Sequence, residues 1–188
     1  MSKKLSPKEF DLEQKKLNAN GNFEAVRSCN SRNCVDENTR LIIVGTITPP
    51  EGAGYFYTSP YNKIYGYIDA ALDTDLKAKK KILHETKDLS VINEIIDILK
   101  SKGIAFLDVF DSVIRKQNSP YDDDIKYYTL DIDSFKKNIN AKFVCNSRLA
   151  EKCFLEICET LGIDNPNYIY LSQRKGTKNL WIETITER

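Results

Sequence analysis

Four short apolar runs organise this chain: Leu41-Ile42-Ile43-Val44, Ile104-Ala105-Phe106-Leu107 after Gly103, Lys142-Phe143-Val144-Cys145, and Tyr168-Ile169-Tyr170-Leu171 after Asn165-Pro166. The first is a continuous β-branched run ended by Gly45, the pattern of a strand buried on both faces. Helical spacing fills the gaps. Over 61–72 it places Ile64, Tyr65, Ile68 and Leu72 on one face, and before Gly103 it places Val91, Ile92, Ile95, Ile96 and Leu99 on another. Over 148–161 the stripe is Leu149, Cys153, Phe154, Ile157 and Leu161, closed by Gly162 where a helix C-cap often sits. Strands alternating with helices predict an α/β fold, a three-layer α/β/α arrangement around a four-stranded, mostly parallel central sheet. Residues 1–38 are polar, and Phe10, Leu12 and Leu17 make a poor stripe over a possible helix at 7–17. They read as an N-terminal extension to a single domain over 39–188. There is no internal repeat and no low-complexity tract.

Composition narrows the class. The 188 residues are 41% apolar and 29% charged, with a formal net charge of +1, which excludes a disordered acidic or basic tail as the main activity. One domain of this length buries roughly 70% of its unfolded surface. No stretch approaches the roughly 20 apolar residues that span a bilayer, and the start of the chain lacks the apolar centre of a signal peptide, so a cytoplasmic protein is expected. The five cysteines form no Cys-x-x-Cys pair and read as reduced core thiols. Cys29 and Cys34, spaced Cys-x4-Cys, could clip a metal only with ligands from elsewhere and have no second pair, so a zinc site is not expected.

Chemistry should sit beyond the carboxyl ends of the strands, where open α/β sheets form their ligand crevice. The first strand is followed by Gly45-Thr46-Ile47-Thr48-Pro49-Pro50 and a Gly- and Tyr-rich loop running from Gly52 through Tyr55, Phe56 and Tyr57 to Pro60-Tyr61-Asn62. Asp108 follows the second strand, with Ser112 and Arg115 further on. Asn146-Ser147-Arg148 follows the third, and Ser172-Gln173-Arg174-Lys175-Gly176 the fourth. Hydroxyls and cations hold phosphate oxygens, rings stack on a base, and amides read its edge, so the mixture suits a nucleotide or nucleic acid. The same residue types also populate ordinary turns and cores.

These residues carry a resemblance. A strand ending in Gly-Thr-x-x-Pro-Pro, a Tyr-rich loop, and Pro60-Tyr61-Asn62-Lys63-Ile64-Tyr65 resemble the uracil-DNA glycosylase superfamily, closest to its deoxyinosine (hypoxanthine-DNA) glycosylase branch. Ile104-Ala105-Phe106-Leu107-Asp108-Val109 resembles the branch's second strand and its Trp-Asp-Val, with Arg115 near the branch's arginine. Phe143-Val144-Cys145-Asn146-Ser147-Arg148-Leu149-Ala150 resembles its Phe-Asn-Gly-x-x-Ala segment. The likeness runs from about residue 41 to 171. It implies a monomeric protein that hydrolyses the N-glycosidic bond of a deaminated base, uracil or hypoxanthine, flipped out of single- or double-stranded DNA, with no cofactor.

Breaking that bond makes the sugar oxocarbenium-like and puts negative charge on the base, so the site needs donors, a positioned water and excluded solvent. By the resemblance, Asn62 positions water or donates to the base; an N-cap for the following helix is its alternative role. Thr48 or Thr46 orients the water. One of Tyr55, Phe56 or Tyr57 stacks under the base and Asn146 contacts its edge. Ser172 keeps the phosphate-binding role of the late motif, with Arg174 and Lys175 adding cationic contacts. Ile47 occupies a position where many superfamily members carry Asp, Asn or Glu, which points to an alternative: a catalytically inactive nucleic-acid-binding protein on the same fold. A small-molecule nucleotide site in the same crevice is a third reading. Asp108 is a candidate base but more commonly such an aspartate caps a turn. The run Lys77-Ala78-Lys79-Lys80-Lys81 is a candidate DNA-facing patch, Asp122-Asp123-Asp124 balances charge, and His84 reads as surface.

Overall fold

The computed structural model describes residues 2–18, 21–48, 53–119, 121–137 and 140–187. Pro49, Pro50 and Gly52 of the first predicted loop lie outside the described residues. In chain order the elements are β1 (Lys3–Lys4), α1 (Pro7–Asn18), β2 (Phe23–Arg27), β3 (Leu41–Gly45), α2 (Ile64–Leu72), α3 (Leu76–Thr86), α4 (Ser90–Ser101), β4 (Ile104–Asp108) and β5 (Phe110–Lys116). There follow β6 (Ile125–Leu130), α5 (Ile132–Lys136), β7 (Lys142–Cys145), α6 (Arg148–Thr160), β8 (Tyr168–Tyr170) and α7 (Lys178–Thr186), with 3₁₀ turns at Asn30–Arg32 and Asp122–Asp124.

The four predicted strands form one parallel sheet in the order β4-β3-β7-β8. Strand β3 is central and wholly buried, as a β-branched run without polar interruption requires. Register decides where its end lies: Gly45 is opposite Asp108, and Val44 is opposite Cys145. The carboxyl ends of three strands are therefore level, and Asn146 continues the ladder through its N–H to the Val44 carbonyl at 3.0 Å.

Helices cover both faces, completing the three-layer α/β/α arrangement. On one face Phe106 meets Phe56, Tyr57 and Tyr65 at ring separations of 4.9–6.0 Å, and Tyr67 of α2 stacks on Trp181 of α7 at 5.9 Å. On the other, Phe143 packs against Phe135 and Phe154. The α4 stripe of Val91, Ile92, Ile95 and Leu99 is buried as its spacing predicts. Gly162 ends α6 at φ 70°, a left-handed conformation that suits glycine, and the Ile163 N–H reaches back to the Cys158 carbonyl.

A second sheet, in the order β1-β6-β5-β2, was not foreseen from the sequence pattern. Its strands β5 and β6 pair antiparallel with two register shifts, after Phe110 and after Ile114. The first 38 residues supply two of its strands: β2 pairs with β5, and β1 pairs with β6 in parallel through two exposed lysines. Lys4 also reaches Glu156 of α6 at 2.6 Å. Arg115 is buried in this sheet beside its cross-strand partner Glu24 at 3.1 Å, so it is a structural ion pair.

Candidate active site

The level strand ends and the turn before α2 enclose a pocket of about 130 Å³. From the end of β3 come Gly45, Thr46, Ile47 and Thr48; from the turn come Tyr57, Ser59 and Asn62; β4 gives Asp108, the 3₁₀ turn gives Asp122, and Asn146 follows β7. Three of these positions are unusual. A Cβ on Gly45 would stand 2.8 Å from the Tyr57 hydroxyl and 2.9 Å from Asp108 Oδ1, so only glycine lets the two side chains close over the strand end. Tyr57 has φ 54°, an uncommon conformation for a bulky residue and one that clusters at functional sites. Its hydroxyl is buried without a partner among the described residues, and so is Asp108 Oδ2.

Burial pushes the Asp108 carboxyl up to about 7; the Thr48 N–H works against the shift, and the charges of Asp122 and Asp131 add to it. Asn30 fixes its backbone from behind, donating to the Asp108 carbonyl at 2.8 Å and accepting from its N–H at 2.8 Å. Asp122 is also raised by burial, opposed by the Thr46 hydroxyl, which donates to its Oδ1 at 2.8 Å. The Tyr57 phenol is pushed well above its ordinary range by burial and then by Asp108, so it is a neutral hydroxyl at physiological pH.

Asn62 stands just before Lys63, the residue at the N-cap position of α2, and lines the pocket. Its Oδ1 accepts from the Ile64 N–H at 3.0 Å, fixing the first turn of α2, which leaves Nδ2 as the donor to the pocket it lines. Two further side chains hold that turn. Gln173, from the loop after β8, accepts from the Lys63 N–H at 3.0 Å. Lys80 is buried, and its Nζ donates to the carbonyls of Ser59 at 3.1 Å and Asn62 at 2.8 Å. Burial, followed by Lys77, lowers its pKa. Lys80→Met keeps the volume and removes the donor from both carbonyls, and is expected to cost about 1–3 kcal/mol in urea unfolding.

The structure brings Thr46, Thr48, Tyr57, Asn62 and Asn146 to one pocket and sends other expected residues elsewhere. Tyr55 and Phe56 are core residues: they contact each other edge-on at 5.1 Å, and the Phe56 carbonyl accepts from the Tyr65 hydroxyl. Neither can stack under a base. Ser172, Arg174 and Lys175 do not line the pocket; the Ser172 carbonyl is held by Thr177 and Trp181, and Arg174 and Lys175 are exposed. The lysine run is not a free cationic face, since Lys79 pairs with Asp75 and Glu94, Lys80 is buried, and Lys81 meets Glu85 at 3.8 Å. His84 is half-buried beside a groove that Pro60 also lines, its Nε2 without a partner among the described residues. The sequence shows Asp122 only as part of an acidic stretch; what brings it to the pocket is the β5–β6 pairing, which folds the acidic turn back onto the end of β3. Among the described residues, no group of three His, Cys, Asp or Glu side chains is placed to hold a metal ion, and no helix is long and apolar enough to cross a membrane.

The fold and the pocket define a class: α/β/α proteins with a short parallel sheet and a pocket at its carboxyl edge. The chain is similar in fold to the solution NMR structure of a "putative uracil DNA glycosylase" from Methanosarcina acetivorans, with a TM-score of 0.56 and 18% sequence identity over 82% of this chain and 94% of that one. No family model and no curated protein matches the sequence.

Proposed function

We propose that this protein is a DNA-base glycosylase-like hydrolase that cleaves the N-glycosidic bond of a deaminated base, uracil or hypoxanthine, extruded from DNA. The observation that carries this reading is the convergence of Asn62, Thr46, Thr48, Tyr57 and Asn146 on one small pocket at the strand ends. Its volume equals that of roughly four waters, the room a planar heterocycle takes. The fold likeness to a protein described as a "putative uracil DNA glycosylase" supports it.

In this reading the extruded base enters between Tyr57 and Asn146, whose amide reads its edge. Asn62 Nδ2 donates to the base or to the attacking water. Thr48 is the better placed threonine for that water: its hydroxyl makes only a long contact of 3.5 Å to the Cys29 thiol, whereas the Thr46 proton is committed to Asp122. Ser172, Arg174 and Lys175 serve the flanking phosphates from outside the pocket, on a loop that Gln173 ties to the start of α2. The sugar cation takes hydroxide from water, leaving an abasic site.

The test is incubation with labelled single- and double-stranded oligonucleotides carrying uracil, hypoxanthine or xanthine, followed by alkali. Breaks at a modified base are the expected result. Ile47, an apolar residue in the pocket lining where a polar one would help the water, favours the second reading of a nucleic-acid-binding protein without catalysis. That reading predicts binding that weakens steeply with salt and no breaks at any base.

A further inference from the structure

The charge in the pocket has one sign. Among the described residues its lining holds two acidic side chains, Asp108 and Asp122, and no Lys, Arg or His. A base leaving as an anion needs positive charge or strong donors at its edge, and a lining whose ionisable groups are acids supplies no positive charge. A base that takes up a proton as it leaves is favoured by the same surroundings. The proton source is in place. Asp108 is 3% exposed, its Oδ2 has no partner among the described residues, and it lines the pocket. A buried carboxyl oxygen left without a partner is stable as the neutral acid, which is then a donor.

We propose that Asp108 is a catalytic residue of this pocket, a general acid that passes its carboxyl proton to a ring nitrogen of the bound base as the bond to the sugar breaks, and that it thereby restricts excision to purines. This deepens the glycosylase reading and rests on it. The electron pair of the glycosidic bond goes to the base, the Asp108 proton goes to N7 or N3, and the purine departs neutral. Water adds to the sugar cation and releases its proton to solvent. Asp108, left as the carboxylate, is reprotonated from solvent once the base has gone. Uracil cannot follow this route, because its ring nitrogens carry either hydrogen or the sugar and present no basic lone pair.

The surroundings keep the acid loaded near neutral pH. Asp122 on the 3₁₀ turn, Asp131 ahead of α5 and the neutral Tyr57 phenol surround it, Cys29 lies close enough to interact electrostatically, and the Thr48 N–H is the opposing donor. Burial is the largest cause of its raised pKa of about 7. Asp131 accepts hydrogen bonds from Asn30 at 2.6 Å and from Ser134.

The experiment is single-turnover excision between pH 5 and 9 from oligonucleotides bearing hypoxanthine, its 7-deaza and 3-deaza analogues, or uracil, with wild type and Asp108→Asn. The wild-type rate on hypoxanthine is expected to fall about tenfold per pH unit above 7. Asp108→Asn keeps an oxygen for the Thr48 N–H and is expected to lose about 100-fold or more, with a flat profile. One deaza analogue, lacking the nitrogen that takes the proton, resists excision by wild type. Uracil released as fast as hypoxanthine, equal release of both deaza analogues, or an Asp108→Asn variant with wild-type rates overturns the assignment of Asp108 and leaves the glycosylase reading standing. Release of no base from any substrate overturns both.

Discussion

Asn62→Asp is expected to slow base release by about 100-fold or more while the protein stays folded, with its melting temperature within a few degrees of wild type. The asymmetry follows from how the amide is used. A carboxylate oxygen can still accept from the Ile64 N–H, so the first turn of α2 keeps its hydrogen bond. What disappears is Nδ2, the donor left for the pocket, and a negative charge is placed beside Asp108 and Asp122 in the lining. Asn62→Ala makes the useful contrast, because it loses donor and cap together and should also lower stability by about 1 kcal/mol. An Asn62→Asp variant with undiminished excision would remove this residue from the chemistry and leave it a helix-start residue alone.

Asp108→Asn is expected to make the protein more stable, by an amount that grows with pH. The folded chain holds this proton up to a pH of about 7, whereas the carboxyl's ordinary value is 3.8. Between those values the native state binds more protons than the unfolded state, so unfolding free energy falls as pH rises through the window. The asparagine has no proton to lose. Its advantage over wild type should be close to zero near a pH of about 3.5 and on the order of 4 kcal/mol at most by about pH 8. In melting temperature that is roughly 10 °C for a chain of this size. Thermal melts of both proteins at acid and alkaline pH check it, and a difference that does not change with pH would show that the carboxyl is ionised in the folded protein. Gain of stability with loss of excision is the pattern expected of a residue held in an unfavourable state for its chemistry.

The parallel sheet was legible because burial on both faces leaves a plain mark, as in Leu41-Ile42-Ile43-Val44, and Gly103, Gly45 and Gly162 punctuate the strands and helices around it. The second sheet left no such mark. Strands β2, β5 and β6 mix Glu24, Arg27, Asp111, Arg115 and Lys126 with their apolar residues, and their pairing depends on shifts of register that local pattern does not encode. Missing that sheet meant missing Asp122, since only the β5-to-β6 reversal carries the acidic turn to the end of β3. Thr46, Thr48 and Asn146 follow strands directly, so the rule that strand ends converge places them near one pocket, whereas Asn62 was singled out by the resemblance of its helix-start segment. The aromatic trio shows where pattern stops: Tyr55, Phe56 and Tyr57 are consecutive and chemically alike, yet the positive φ at Tyr57 turns one ring toward the pocket while the other two pack in the core.

The shortest strand sets how the second sheet meets the outside. An unsatisfied row of peptide groups at a sheet margin invites pairing with a neighbouring molecule. Here β1 is two residues long, both exposed lysines, with Lys4 anchored to Glu156. A foreign strand approaching that border meets ammonium groups and finds almost no backbone to zip along, which protects the chain from templated aggregation on that side.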